Sequence, residues 1–172
     1  GNEPVFFILI DNLRFDQWKI IQPMLMDYYK VEDESTFFSI LPTATQYARN
    51  ALFSGLLPSE MEKRFPDKWL NDEEEGGKNL HEEFFLNEQF KRNNINLKTS
   101  YTKITNHRSG KDLEDTILNL MNNDFNVIVY NFVDMLSHAR TEMEVLKELA
   151  SDEAAYRSLT MSWFDHSPLL NA

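Results

Sequence analysis

Two runs limit the folds open to this chain: Val5–Ile10, VFFILI, and Asn126–Val133, NVIVYNFV. Both are of strand length and almost continuously apolar, with no alternation between polar and apolar positions. Strands of that kind are covered on both faces, as in the parallel sheet of an α/β fold. Asp11 follows the first run directly and Asp134 the second, with His138 four residues later. In open α/β sheets ligands gather at the carboxyl ends of the strands, so these residues stand where a metal or a phosphate would bind. A carboxylate and an imidazole in Asp-x-x-x-His spacing can meet on one cation as the chain turns into a helix. Asp11 is also well placed to cap the following helix, and its position does not separate the two roles.

A third stretch, Leu41–Gly55, reads LPTATQYARNALFSG. The apolar residues Phe37–Leu41 before it read as a strand. Tyr47–Phe53 reads as the start of a helix that Gly55 and Pro58 close. Thr43 and Thr45 then fall between a strand end and a helix N-terminus, where free amides and the helix dipole favour an anion. Threonine is also an ordinary N-cap, and both readings stay open on the sequence. Taken together, Asp11, Thr43 or Thr45, and Asp134 with His138 are polar points at the ends of three apolar strands. They suggest a divalent metal beside an activated hydroxyl.

The remaining segments alternate with these strands and predict α/β layering in one domain over residues 1–172. Phe15–Tyr29 has helical spacing, with Trp18 and the paired tyrosines Tyr28 and Tyr29 facing the core and Pro23 kinking or dividing the helix. Residues 57–78 read as a surface excursion with an acidic tip at Asp72–Glu75, whose spacing does not match an EF-hand loop. Asn79–Arg92 predicts a helix with His81 on its surface, Ile95–Ile104 a weakly marked strand, and Leu113–Met121 a short helix. His107, Arg108 and Lys111 form the most basic short patch, suited either to a substrate phosphate or to a polar loop. Glu142–Phe164 predicts a long helix broken at Ser151-Asp152 and ended by Pro168.

Composition excludes several classes. A formal net charge of −11 disfavours general attraction to nucleic acid. The absence of cysteine rules out disulfides and Cys-type zinc sites and fits a reducing, cytoplasmic setting. Val5–Ile10 is too short to span a membrane, so no membrane insertion is expected.

VFFILIDNLRFDQW, ILPTATQYARNALFSGLLP and YNFVDMLSHARTEMEVLKELASDEAAYRSLTMSWF resemble the PglZ domain of the alkaline phosphatase superfamily. The likeness is greatest to the effector domain of PorX-like two-component response regulators of Bacteroidetes, and it covers nearly the whole chain. It implies a three-layer α/β/α sandwich around a mostly parallel sheet, and two metal ions, usually zinc, that serve phosphoryl or sulfuryl transfer. By the resemblance Asp11 is a ligand of one metal, Thr45 the nucleophile and bridging ligand, and Asp134 and His138 ligands of the other metal.

The family pattern also includes a later strand ending in Asp-His-Gly and a further histidine, and neither is in this sequence. Asp165-His166 is the remaining Asp-His pair, but Ser167-Pro168 follow it and no apolar strand precedes it. On this reading the chain is about the first two-thirds of a catalytic domain, with an incomplete site and, by itself, little affinity for zinc. The parent protein would be a metal-dependent phosphodiesterase or phosphatase joined to a receiver domain, acting on a phosphate ester, nucleotide-like esters included. The competing reading is a non-catalytic signalling module that passes receiver phosphorylation to secretion-system or sigma-factor partners. An uncovered sheet edge or apolar face would also favour association with a second copy.

Overall fold

A computed structural model of the chain describes residues 3–69, 80–131, 136 and 144–172. These form two compact units, residues 1–34 with 98–172, and residues 35–97.

The first unit holds a three-stranded parallel sheet of β1 (Val5–Ile10), β2 (Thr99–Ile104) and β3 (Phe125–Tyr130) in the order β1-β3-β2. Helices alternate with the strands, so the α/β architecture with a parallel sheet stands as the sequence implies. Central β3 has Val127 and Val129 on one face and Ile128 and Tyr130 on the other, all buried, as an unalternating apolar run requires. Asn126 is also fully buried, and its side chain is well satisfied. Its amide nitrogen donates to Leu120 O at 3.0 Å, and its Oδ1 accepts from Ser100 at 2.6 Å and Asn123 at 3.0 Å. Flanking β1 is less covered than its sequence suggests. Val5 and Ile8 are about half exposed, and among the described residues β1 has a strand neighbour, β3, on one side only.

On the even-numbered face Ile104, Ile128 and Tyr130 pack with Leu113 of α5 (His107–Leu120), and Trp163 and Leu169 join them. Trp163 lies in α7 (Glu153–Asp165) and Leu169 in α8 (Pro168–Asn171). The Tyr130 hydroxyl meets Ser167 Oγ at 2.6 Å, and Ser167 caps α8 by accepting from the Leu169 amide. Gly110 of α5 lies so close to Pro168 that a Cβ there would come within 3.2 Å of its ring.

α1 (Phe15–Met26) is one helix that runs through Pro23, so the proline does not divide it. Its buried residues are Gln17 and Ile21. Tyr28 and Tyr29 lie beyond its end and are exposed, contrary to the sequence reading, because the helical repeat that would turn them inward has stopped at Met26. Trp18 is half-buried and donates its indole N–H to Glu34 at 2.7 Å. The predicted break at Ser151-Asp152 is present: α6 (Glu144–Leu149) ends before it, and Asp152 caps α7 by accepting from the Ala155 amide at 2.7 Å.

In the second unit α2 (Thr45–Ser54), α3 (Pro58–Arg64) and α4 (Glu82–Arg92) enclose Phe53, Met61, Phe85 and Leu86. Phe65 meets Phe84 and Phe85 edge-on, with ring centroids 5.4 and 6.0 Å away. Residues 58–64, read from sequence as the opening of a surface excursion, are helical, and Met61 is fully buried. The acidic tip at Asp72–Glu75 lies outside the described residues.

Phe37–Leu41 is not a strand. Phe37, Phe38 and Leu41 are 81%, 103% and 87% exposed. Among the described residues, 35–43 make no hydrogen bond. Apolar composition gives a segment strand propensity, but a strand exists only through its ladder partner.

Candidate functional site

The register pairs Ile10 with Tyr130 and Tyr130 with Ile104, so the carboxyl ends of the three strands are level. The ladder continues one residue further, with the Asp11 amide donating to Tyr130 O at 3.0 Å and the Asn131 amide to Ile104 O at 3.0 Å. Asp11 thus occupies the strand-end position that the sequence predicts, half-buried beside Asn131. Asn12 follows with φ 59°, a left-handed conformation that asparagine tolerates. That residue turns the chain off the sheet edge and into α1.

Just past this turn lies a polar network that sequence reasoning missed. The Gln17 side-chain oxygen accepts the Arg14 amide at 2.9 Å, and its nitrogen donates to Thr160 at 3.0 Å. Arg14 donates to both carboxylate oxygens of Asp16 at 3.0 and 2.9 Å, pairs with Glu153 at 2.5 Å and stacks over Tyr156. Arg157 approaches Asp16 at 3.3 Å. Gln17 and Thr160, Arg14 and Glu153, and Asp16 and Arg157 lie more than a hundred positions apart, and no local periodicity signals them.

Hydrogen bonds from Arg14 hold the Asp16 carboxyl below its ordinary range, and those from Lys19 and Trp18 do the same for Glu34. A carboxyl with a depressed folded pKa adds stability above its unfolded pKa and loses it as pH falls through the folded value. The unit of residues 1–34 and 98–172 is therefore expected to lose stability as pH falls below about 4. The Asp16→Asn, Glu34→Gln double variant should show a smaller acid loss. Urea midpoints between pH 6 and pH 3 check this, and equal losses in the two proteins would contradict it.

α5 starts at the end of β2, with Asn106 as its N-cap accepting from the Ser109 amide at 2.9 Å. His107 and Arg108 are exposed in its first turn, so the basic patch lies on a helix rather than in a polar loop. His81 precedes α4 and is half-buried, and its pKa is lowered by burial and then by Lys68. Asp165 ends α7, and the exposed His166 that follows meets Ser162 O through Nδ1 at 2.7 Å. That pair is at a helix end, as the sequence indicates, and not at a strand end.

Thr45 is the first residue of α2 in the other unit. The N-cap is Ala44, and no side chain caps the helix, so neither Thr43 nor Thr45 serves as the cap. Thr43 is exposed and Thr45 half-buried. The segment before them is not a strand, so Thr45 stands at a helix start only. One turn on, Arg49 pairs with Glu82 of α4 at 2.6 Å, and both side chains are almost wholly buried.

Asp134 and His138 lie outside the described residues. Among the described residues no group of three or more histidine, aspartate or glutamate side chains is gathered to hold a metal ion. Asp11 is the implied ligand present at the described sheet edge, and alone it does not make a zinc centre. Nor is any described helix long and apolar enough to cross a membrane.

The sequence profile of the BREX system PglZ alkaline phosphatase-like domain matches residues 1–171. No curated protein matches the chain.

Proposed function

The chain belongs to the PglZ family of alkaline phosphatase-like domains, and on that premise we propose that it serves metal-dependent hydrolysis of phosphate esters, with Thr45 as the nucleophile. The observation that carries this reading is the family match over residues 1–171. The position of Asp11 at the carboxyl end of β1 supports it, because alkaline phosphatase-like chemistry is expected at that edge of the sheet.

In this proposal Asp11 and Thr45 serve one zinc ion, and Asp134 and His138 serve the other. Carboxylate and imidazole are donors that zinc accepts, and two side chains per ion are fewer than the roughly three that a catalytic zinc site carries. Bound zinc would supply charge for a threonine alkoxide and for the phosphoryl oxygens. The chain's own part is to present the Thr45 hydroxyl at the start of α2, beside amides that helix geometry leaves free. The sequence holds no Asp-His-Gly triplet, and we assign tight two-ion binding to a domain that also carries that motif. A nucleotide diester and a monoester, assayed side by side with and without zinc on a domain that carries that motif, test the reading. Zinc-dependent cleavage of either supports it, and zinc-independent cleavage contradicts it.

The setting we propose is the effector domain of a response regulator, with a receiver domain in the same protein and secretion-system or sigma-factor partners. The likeness of the three quoted segments to PorX-like regulators supports this, as does the lack of cysteine for a cytoplasmic setting. A purely signalling domain would keep its output when Thr45 is replaced by alanine.

A further inference from the structure

Among the described residues, the other arginines all have partners and Arg108 does not. Arg14 and Arg157 pair with Asp16, Arg49 with Glu82 and Arg64 with Glu60, and Arg92 donates to Ser54 O. The Arg108 side chain is exposed and makes neither an ion pair nor a hydrogen bond. In a chain of net charge −11, carboxylates outnumber the cations that could pair with them. An arginine left without one is available to an anion from outside.

The sheet sets its place. β2 ends at Ile104, level with Ile10 and Tyr130, and α5 begins at His107. Ser109 Oγ accepts the amides of Thr105 and Asn106 at 3.1 and 3.2 Å, and Gly110 lies against Pro168. Arg108 is thus carried on a fixed base at the sheet edge where Asp11 lies. β3 separates β1 from β2, and neighbouring strands are about 4.8 Å apart, so the two strand ends are about 10 Å from each other.

We infer that Arg108, with His107 beside it, binds a second phosphate group of the substrate, one that is not transferred, and so selects esters that carry one. This rests on the ester hydrolysis proposed above. An arginine fork matches a phosphate in charge and in geometry and holds it through paired hydrogen bonds. The span between the end of β1 and the end of β2 fits two phosphates of one molecule rather than two contacts to a single phosphate. A protein of this net charge repels such a substrate at long range, and a local cation offsets that where the substrate binds. Lys111, the third basic residue of the patch, pairs with Glu114 at 3.9 Å and has no part in the inference.

A matched pair of dinucleotides, one with a 5′-terminal phosphate and one without it, tests this in a domain that also carries the Asp-His-Gly motif. With zinc, Arg108→Gln should raise KM for the phosphorylated dinucleotide about tenfold, the scale of a lost charge-assisted contact. Its kcat, and both constants for the other dinucleotide, should stay within about twofold. Arg108→Lys should lose part of the preference, since it keeps the charge and not the fork. Circular dichroism should be unchanged in both variants, because the side chain is exposed and without a partner. Without zinc, NMR titration gives a readout besides activity. The amides of residues 107–111 should shift with the phosphorylated dinucleotide only, and not in Arg108→Gln. An equal rise in KM for both dinucleotides, or a rise for neither, overturns the inference and leaves ester hydrolysis in place. Amides that do not respond to the terminal phosphate do the same. Hydrolysis of neither dinucleotide by the unmutated domain overturns the ester reading and this inference with it.

Discussion

In a domain that also carries the Asp-His-Gly motif, Thr45→Val is expected to lower zinc-dependent ester hydrolysis by about four orders of magnitude or more, the scale seen when a catalytic nucleophile is removed, while α2 stays folded. Valine keeps the volume of threonine and removes the hydroxyl. The structure separates chemistry from folding at this position. Ala44 is the N-cap of α2 and no side chain caps it, so the substitution deletes no capping bond. What it costs the helix is a difference in propensity of a few tenths of a kcal/mol. Thr43→Val removes the hydroxyl two residues earlier, outside the helix, and should leave most activity in place. Steady-state hydrolysis of the preferred ester by the three proteins, with circular dichroism as the folding control, reads this directly. Equal turnover in wild type and Thr45→Val would remove Thr45 from the chemistry. A large loss in Thr43→Val alone would transfer the role to that residue.

The largest expected effect on stability is at the buried pair of Arg49 and Glu82. The side chains are 4% and 0% exposed and meet at 2.6 Å. Two charges taken out of water gain little net stability together, but removing one takes away the main ion-pair partner of the other, which in buried pairs costs about 3–5 kcal/mol. Arg49→Met and Glu82→Gln should each therefore destabilise residues 35–97 by about that amount, whereas Arg49→Met with Glu82→Leu should recover most of it. Urea unfolding, with hydrogen exchange resolved over 45–92, measures both. A loss under about 1 kcal/mol in either single variant would show that water or another group takes up the remaining charge. The pair joins the helix that begins with Thr45 to α4, so its loss should also disturb the placement of the proposed nucleophile.

The sheet was legible where the sequence is densest in information. Six continuous apolar residues in β1, and the run through β3, leave few alternatives to strands, although β3 is covered and β1 only partly so. The break between α6 and α7 was legible because Asp152 caps the second helix through its own side chain. Thr99–Ile104, TSYTKI, barely reads as a strand, and its place beside β3 comes from main-chain pairing, which composition does not encode. Phe37–Leu41 shows the converse, since its strand-like residues have no described ladder partner. Buried polar partners were illegible for a related reason. Arg49 with Glu82, and Gln17 with Thr160, meet only once the helices have docked. At the candidate site, Asp11 could be placed from its strand and Thr45 from its helix. Their roles came from resemblance, because a ligand set is a property of converging segments and not of any one of them.

The central claim is that Asp11, Thr45, Asp134 and His138 are zinc-binding residues of one family-type site. Calorimetric zinc titration tests it most directly, in a domain that also carries the Asp-His-Gly motif, on the unmutated protein, on Asp11→Asn, Asp134→Asn and His138→Ala, and on His166→Ala as the control. The account predicts that zinc binding weakens at least about tenfold in each of the first three variants and is unchanged in His166→Ala. Zinc binding that is indifferent to Asp11, Asp134 and His138 but lost with His166 would contradict it.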